Sequence, residues 1–159
     1  MKTLLIANLV TLSFTTPVIA KGLGVGLILG DPTGISAKYF LGANAVDGAI
    51  SYNDHEFVIY GDYLKHFPGW PGKENAFVAG LTPYVGVGPV IAITDDDKER
   101  NRRLLEDDDF ALGARIPLGI EWMATEVPVG LSLELAPGIL VAPETDGFGQ
   151  GGFLARYYF

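Results

Sequence analysis

The chain has 159 residues, enough for one domain. Its 19 acidic against 11 basic residues give a formal net charge of -8, which argues against a nucleic-acid binder with its basic face. Cysteine is absent, which excludes disulfides, thiolate metal sites, a cysteine nucleophile and a lipid anchor on an N-terminal cysteine, while 21 Gly and 10 Pro disfavour long helices.

The first twenty residues differ from the rest. Met1-Lys2 gives a short positive start, Thr3 to Thr16 is mostly apolar, and Val18-Ile19-Ala20 places a small residue before a cleavage point. This is the pattern of a secretory signal peptide, so residues 1–20 are expected to be removed and residues 21–159 to form the folded domain. A transmembrane anchor fits less well. Asn8, Thr11, Ser13, Thr15, Thr16 and Pro17 interrupt the run, which falls short of the ~20 apolar residues of a helical span.

After Lys21 the recurring pattern is alternation of large apolar residues with small or polar ones, the period of a strand with two different faces. The first stretch is Leu23–Gly30, ended by Asp31-Pro32-Thr33-Gly34, which reads as a type I turn. Ile35–Leu41 follows, then Ala45–Tyr52, then Glu56–His66. A Pro/Gly-rich connection, Phe67 to Asn75, leads into Phe77–Ile93, and the charged run Asp95–Asp108 comes next. Asp109–Met123, Val127–Val141 and Phe148–Phe159 complete eight stretches.

Eight strands with short turns suggest a β-barrel, either soluble or in an outer membrane, and the two put opposite residues outside. From Phe110 to Trp122 the even positions are Phe, Leu, Ala, Ile, Leu, Ile and Trp, whereas the odd ones include Ala111, Gly113, Arg115, Pro117, Gly119 and Glu121. Leu131, Leu133 and Leu135 oppose Ser132 and Glu134; Phe153, Ala155, Tyr157 and Phe159 oppose Gln150, Leu154, Arg156 and Tyr158. Ile35, Ala37, Tyr39 and Leu41 oppose Ser36 and Lys38; Val46 and Ile50 oppose Asp47 and Ser51; Phe57, Ile59 and Tyr63 oppose Tyr60, Asp62 and His66.

The polar face carries few charges: Lys38, Asp47, Asp62, Arg115, Glu121, Glu134 and Arg156. Three are positive and four negative, a near-balance suited to a narrow lumen, where charges persist only when paired. Abundant Gly fits the same lumen, since eight strands leave little interior room. The expected fold is therefore all-β: an eight-stranded antiparallel up-and-down transmembrane β-barrel.

With the N-terminus in the periplasm, the even strands end on Tyr39/Phe40, Tyr63/Phe67, Trp122 and Tyr157/Phe159, and start near Phe57, Phe110 and Phe148, as two aromatic girdles would. At ~3.3 Å per residue and ~40° tilt, Phe110 to Trp122 spans roughly 30 Å, close to an apolar band with its girdles. Pro83, Pro89, Pro117 and Pro137 fall inside strands, so each is expected at a bulge or strand end, with a shift of parity beyond any bulge. Strict alternation puts Phe148 on the lumen face.

These features, with G-D-P-T-G-I-S-A-K-Y-F at Gly30–Phe40, A-R-I-P-L-G-I-E at Ala114–Glu121, L-E-L-A-P-G at Leu133–Gly138, P-E-T at Pro143–Thr145 and A-R-Y-Y-F at Ala155–Phe159, resemble a family of short, mostly uncharacterised bacterial outer-membrane β-barrels. The resemblance implies an eight-stranded barrel whose terminal aromatics, Tyr157 and Phe159, serve as a signal to the outer-membrane assembly machinery. It implies no reaction.

Asp95–Asp109 holds eight acids and four bases. Asp95, Asp97, Glu99 and Glu106 match positions 1, 3, 5 and 12 of an EF-hand loop, but Arg100 replaces the required Gly, so a solvated outer loop is expected rather than a metal site. Ser51 and His55, beside Asp54 and Glu56, could make a nucleophile–base pair of a lipid-modifying enzyme, but a polar hairpin explains them better. The glycine strings near Gly22–Gly26 and Gly86–Gly88 open no helix and make no phosphate site. Arg115, Glu134 and Arg156 read as a salt-bridge network plugging the lumen, with a gate as the alternative and Glu121 or Glu134 as partner of Arg156.

The expected protein is a monomeric, non-enzymatic outer-membrane barrel with a structural or surface-interaction role. It needs no cofactor, metal or nucleic acid, and its partners are membrane lipid, lipopolysaccharide and the assembly machinery. A narrow channel, a lipid-modifying enzyme and a soluble periplasmic barrel are the alternatives.

Overall fold

The computed structural model describes residues 22–53, 56–70, 72, 75–94 and 110–159. The first twenty residues, Asp54, His55 and the acidic run 95–109, with its EF-hand-like positions, lie outside the described residues. The strands are β1 (Leu23–Asp31), β2 (Gly34–Leu41), β3 (Asn44–Asn53), β4 (Glu56–His66), β5 (Leu81–Thr94), β6 (Phe110–Arg115), β7 (Leu118–Met123), β8 (Val129–Ala142) and β9 (Asp146–Tyr158), with one short helix, α1 (Ala76–Gly80), before β5.

Strands adjacent in sequence pair antiparallel, except β6 with β7, and β9 returns to pair with β1 from Gly24↔Tyr158 to Asp31↔Gly151, closing the ring. β6 and β7 form one stave: both pair with β5 on one side and β8 on the other. The fold is thus an eight-stave antiparallel up-and-down β-barrel. One end carries the connections after β1, β3, β5 and β8. The other, the terminal end, carries both ends of the barrel domain.

The pleat sorts side chains into two environments. In β6 and β7 the odd positions Ala111, Gly113, Arg115, Pro117 and Glu121 are buried, whereas Phe110, Ala114, Ile116 and Leu118 are exposed. Outward leucines are bare: Leu133 is 61% and Leu135 67% exposed, against 1% for Arg115 and 2% for Arg156. The barrel is apolar outside and charged inside.

The prolines behave differently from expectation. Only Pro117 marks a strand end, between β6 and β7, and Arg115 and Glu121 on either side keep the same inward parity. Two bonds bridge the gap: Ile116 N–H donates to the Pro137 carbonyl and Gly86 N–H to the Pro117 carbonyl, each at 2.8 Å. Pro83, Pro89 and Pro137 stay within their ladders on the outward rows, opposite Ile120, Ala114 and Gly149. Pro89 lacks an N–H, and there the β4–β5 ladder skips Gly61 and Asp62. The register shift lies elsewhere, between Leu112 and Gly113 against β8.

Three further expectations are corrected. Residues 77–80 are helical rather than extended, because the Asn75 side chain accepts from Val78 N–H at 2.9 Å and caps α1. At the end of β1 the Thr33 hydroxyl accepts from Gly30 N–H (3.1 Å) and donates to Gly30 O (2.8 Å). Phe40 belongs to no girdle: it faces inward and packs with His66 and Tyr158. Phe148 also leaves the girdle and packs on the interior apolar cluster, following its parity in β9.

Glycine makes space at the seam between β1 and β9. A Cβ on Gly24 would enter the Tyr158 ring, and one on Gly26 would strike the backbone at Ala155 and Arg156. Gly149, also in β9, faces open space. Gly24→Val and Gly26→Val are expected to cost about 1–3 kcal/mol by overpacking. Each should lower the temperature at which the folded, faster-migrating band disappears on a semi-native gel, while Gly149→Ala leaves that temperature unchanged.

Candidate functional site

The interior is layered along the barrel axis. Toward the connection end lies an apolar cluster including Ile28, Val58, Tyr60, Val90, Leu140 and Leu154. Toward the terminal end, Ala45, Leu64 and Tyr84 form a second cluster with Phe40 against it. The charged side chains lie along the lumen rows between these groups. Lys38 (β2), Asp47 (β3), Asp62 (β4), Arg115 (β6), Glu121 (β7), Glu134 (β8) and Arg156 (β9) are all buried. Alternation turns each inward, and ring closure brings distant segments of chain into contact.

Three cations organise the carboxylates. Lys38 Nζ meets Glu121 Oε2 at 2.8 Å, joining strands halfway round the ring from each other. Arg115 holds two acids: its Nε pairs with Asp62 Oδ2 at 3.2 Å and its Nη2 donates to Glu134 Oε1. Its Nη1 donates to Gln150 Oε1 at 2.9 Å, and its guanidinium lies 3.7 Å from the Tyr60 ring centroid, tying the ionic layer to the apolar one. Arg156 Nη2 donates to Asp47 Oδ2 at 2.9 Å, and both its Nε and Nη2 reach Ser36 Oγ, at 3.0 and 2.7 Å. The partner of Arg156 is therefore Asp47, not Glu121 or Glu134. Those two acids are taken by Lys38, from across the ring, and by Arg115, from the neighbouring strand.

Residues outside the seven charges complete the network. Tyr158 OH donates to Glu121 Oε1 and Tyr84 OH to Glu134 Oε2, both at 2.7 Å. Ser132 Oγ lies 3.4 Å from Glu121 Oε1, and His66 Nε2 lies 3.5 Å from Glu121 Oε2. Lys38 Nζ sits 4.7 Å above Tyr84 and 5.1 Å above Phe40. Ser36, His66, Ser132, Gln150 and Tyr158 stand on the polar rows of the sequence, but nothing in a single sequence says which carboxylate each will reach. Tyr84 is identified only by counting parity along β5, in the stretch between Pro83 and Pro89.

The other candidates are scattered. Ser51 is buried, and its hydroxyl donates to Thr33 O at 2.5 Å. His55, its supposed base, lies outside the described residues. Among the described residues no cluster of His, Asp and Glu is arranged to hold a metal. Tyr157 and Phe159 face outward at the terminal end, ring centroids 5.1 Å apart, and Phe159 N–H donates to Leu23 O at 3.0 Å.

No protein-family model matches the chain. No curated protein matches it either. Among solved structures it is similar to the crystal structure of the N-terminal β-barrel domain of Pseudomonas aeruginosa OprF, with 19% sequence identity and a TM-score of 0.59 over 86% of this chain and 95% of that one. At that identity the likeness shows the fold: a β-barrel of the kind seen in that domain.

Breaking a buried pair leaves one charge without its partner, which costs about 3–5 kcal/mol. Arg156→Met should therefore lower the urea midpoint of the detergent-folded protein, and adding Asp47→Asn should restore most of the loss. Arg115→Met strands two carboxylates and should lower the midpoint further than Arg156→Met. Equal midpoints for the two single variants would refute this account of the network.

Proposed function

We propose that the protein is an integral barrel of a bacterial outer membrane, with a structural or surface-interaction role and a lumen filled by its own side chains. The inversion of polarity carries this reading: a wall of bare leucine, isoleucine and valine around buried, paired charges. In water such a wall would be a large aggregation-prone surface, whereas in hydrocarbon it is the favourable face. Among the described residues the ladders run between strands of a closed ring, the one arrangement in which strands cross a bilayer without an open edge. Outward Tyr39, Tyr63, Tyr157 and Phe159 at the terminal end and Tyr52 and Phe110 at the other fit two interfacial belts. The likeness to the OprF barrel domain supports the same location. With the terminal end in the periplasm, the opposite end, where β5 ends and β6 begins, is the one on the lipopolysaccharide side.

The filled lumen argues for a non-conducting, non-enzymatic role. Ions passing along the axis would have to part Lys38 from Glu121, a pair that crosses the ring and is buried on both sides. Of the supposed catalytic pair, the Ser51 hydroxyl is engaged by Thr33 O. The protein should partition with outer membranes and migrate faster unheated than boiled. It should also give no discrete conductance steps in planar bilayers. A soluble protein without a mobility shift overturns the membrane reading; discrete steps overturn the filled lumen alone.

We further propose that Tyr157 and Phe159, on the last strand, are read by the barrel assembly machinery. Phe159→Ala should reduce the amount inserted in cells while leaving the thermal stability of protein refolded in detergent nearly unchanged, since the closing bond from residue 159 is made by its backbone. Normal insertion in cells would refute the assignment.

A further inference from the structure

Near the terminal end, α1 lies against the outer wall and leaves a groove beside it. Phe77 of α1 stands 6.0 Å, centroid to centroid, from Trp122 of β7. With Leu81, Ile120, Leu131, Leu133 and Phe153 they bound an open cleft of about 220 Å3. The remaining lining residue, Ser132, turns its hydroxyl into the lumen toward Glu121, so the side chains facing the cleft are aliphatic or aromatic.

We infer that this groove holds one acyl chain of a phospholipid from the leaflet at the terminal end, the periplasmic leaflet in the orientation proposed above. The inference rests on the membrane reading. Three observations select this occupant. The floor is strand backbone already paired on both sides, β7 with β8 and β8 with β9, so it offers a peptide no hydrogen bonds. An acyl chain needs none. A protein segment would bring backbone polar groups into an open cleft of about 220 Å3 that no polar side chain faces, whereas an acyl chain brings none. Leu131, Leu133 and Phe153 also lie on outward rows that continue along the wall through Leu135 and Ile139, so a chain in the groove is continuous with the lipid around the barrel.

The feature that sets the groove apart from bare wall is α1. Asn75 caps that helix. It holds Phe77 over Trp122 as a side wall, giving a chain contacts on two sides where the open barrel gives one. An acyl chain there should exchange more slowly than its neighbours and should bind saturably.

The chain contains two tryptophans, Trp70 and Trp122, and only Trp122 lines the groove. In the full-length Trp70→Phe protein in detergent micelles, phosphatidylethanolamine dibrominated at mid-chain should quench Trp122 along a saturable curve. Unbrominated phosphatidylethanolamine should compete. Leu131→Phe and, separately, Leu81→Phe fill the groove and should move half-quenching to several-fold higher bromolipid fraction, with the folded gel band retained. Quenching that rises in proportion to bromolipid, without competition and unchanged in both filled variants, overturns the site but leaves a membrane barrel. Saturable quenching displaced by lipopolysaccharide and not by phosphatidylethanolamine overturns the choice of lipid. No quenching at any fraction overturns the membrane reading itself.

Discussion

Seven charged side chains are enclosed by a ring of strands whose outer face is apolar, so each must find its counter-charge inside. Much of the interior follows from that requirement. Three cations must serve four carboxylates, and Arg115 resolves the mismatch by holding Asp62 and Glu134 together. The planar fork of arginine permits this, whereas the point charge of Lys38 is committed to Glu121. Carboxylate oxygens beyond the ion pairs are met by neutral donors, Tyr84 on Glu134 and Tyr158 on Glu121. Large donors need space on a narrow bore. Gly24 supplies it for the Tyr158 ring on the neighbouring strand, and Gly26 lets the β1 backbone lie close to that of β9 at Ala155 and Arg156.

The wall is uneven in a way that follows the chain. Pro83, Pro89, Pro117 and Pro137, together with the register shift at Leu112 and Gly113, all fall on the side built from β5, β6, β7 and β8. No proline interrupts β9, β1, β2, β3 or β4. A closed ring has no edge on which to hide a missing N–H, so these prolines lean on substitute bonds such as Ile116 N–H to Pro137 O. Much of the ion network bridges the two sides: Lys38 on β2 to Glu121 on β7, Asp62 on β4 to Arg115 on β6, and Arg115 to Gln150 on β9. The lumen charges thus cross-link the weaker half of the wall to the stronger half.

How much of this is legible in the sequence depends on the range of the interaction. Alternation is local, and it alone assigns Leu133 outward and Glu134 inward, or Tyr157 outward and Arg156 inward. Closure by β9 on β1 follows from the count of strands and the meander. The partner of Arg156 is not legible, because it depends on how far the strands are staggered round the ring. That stagger puts Asp47, far away in sequence, closer than either nearby glutamate. Phe40 looked like a girdle residue because it adjoins Tyr39, yet parity alone should have sent it inward beside His66. α1 is not legible because apolar Phe77 and Val78 suit a strand as well as a helix; the deciding feature is the Asn75 cap, a single side chain.

Glu121 shows why pairing matters more than charge count in such a lumen. One carboxylate takes the Lys38 ammonium on Oε2 and the Tyr158 hydroxyl on Oε1, with Ser132 and His66 within 3.5 Å. It thereby gathers groups from β2, β4, β7, β8 and β9 at the terminal end of the ring. Every one of those neighbours except Lys38 is neutral or carries only an optional charge, so the site is held by hydrogen-bond geometry as well as by attraction. A water-filled pore would favour the opposite design, with charges spaced along the wall and solvated separately. Here the charges are drawn together across the bore, and the aromatic rings of Phe40, His66, Tyr84 and Tyr158 fill the space that remains on that side. Such an interior braces the wall from within.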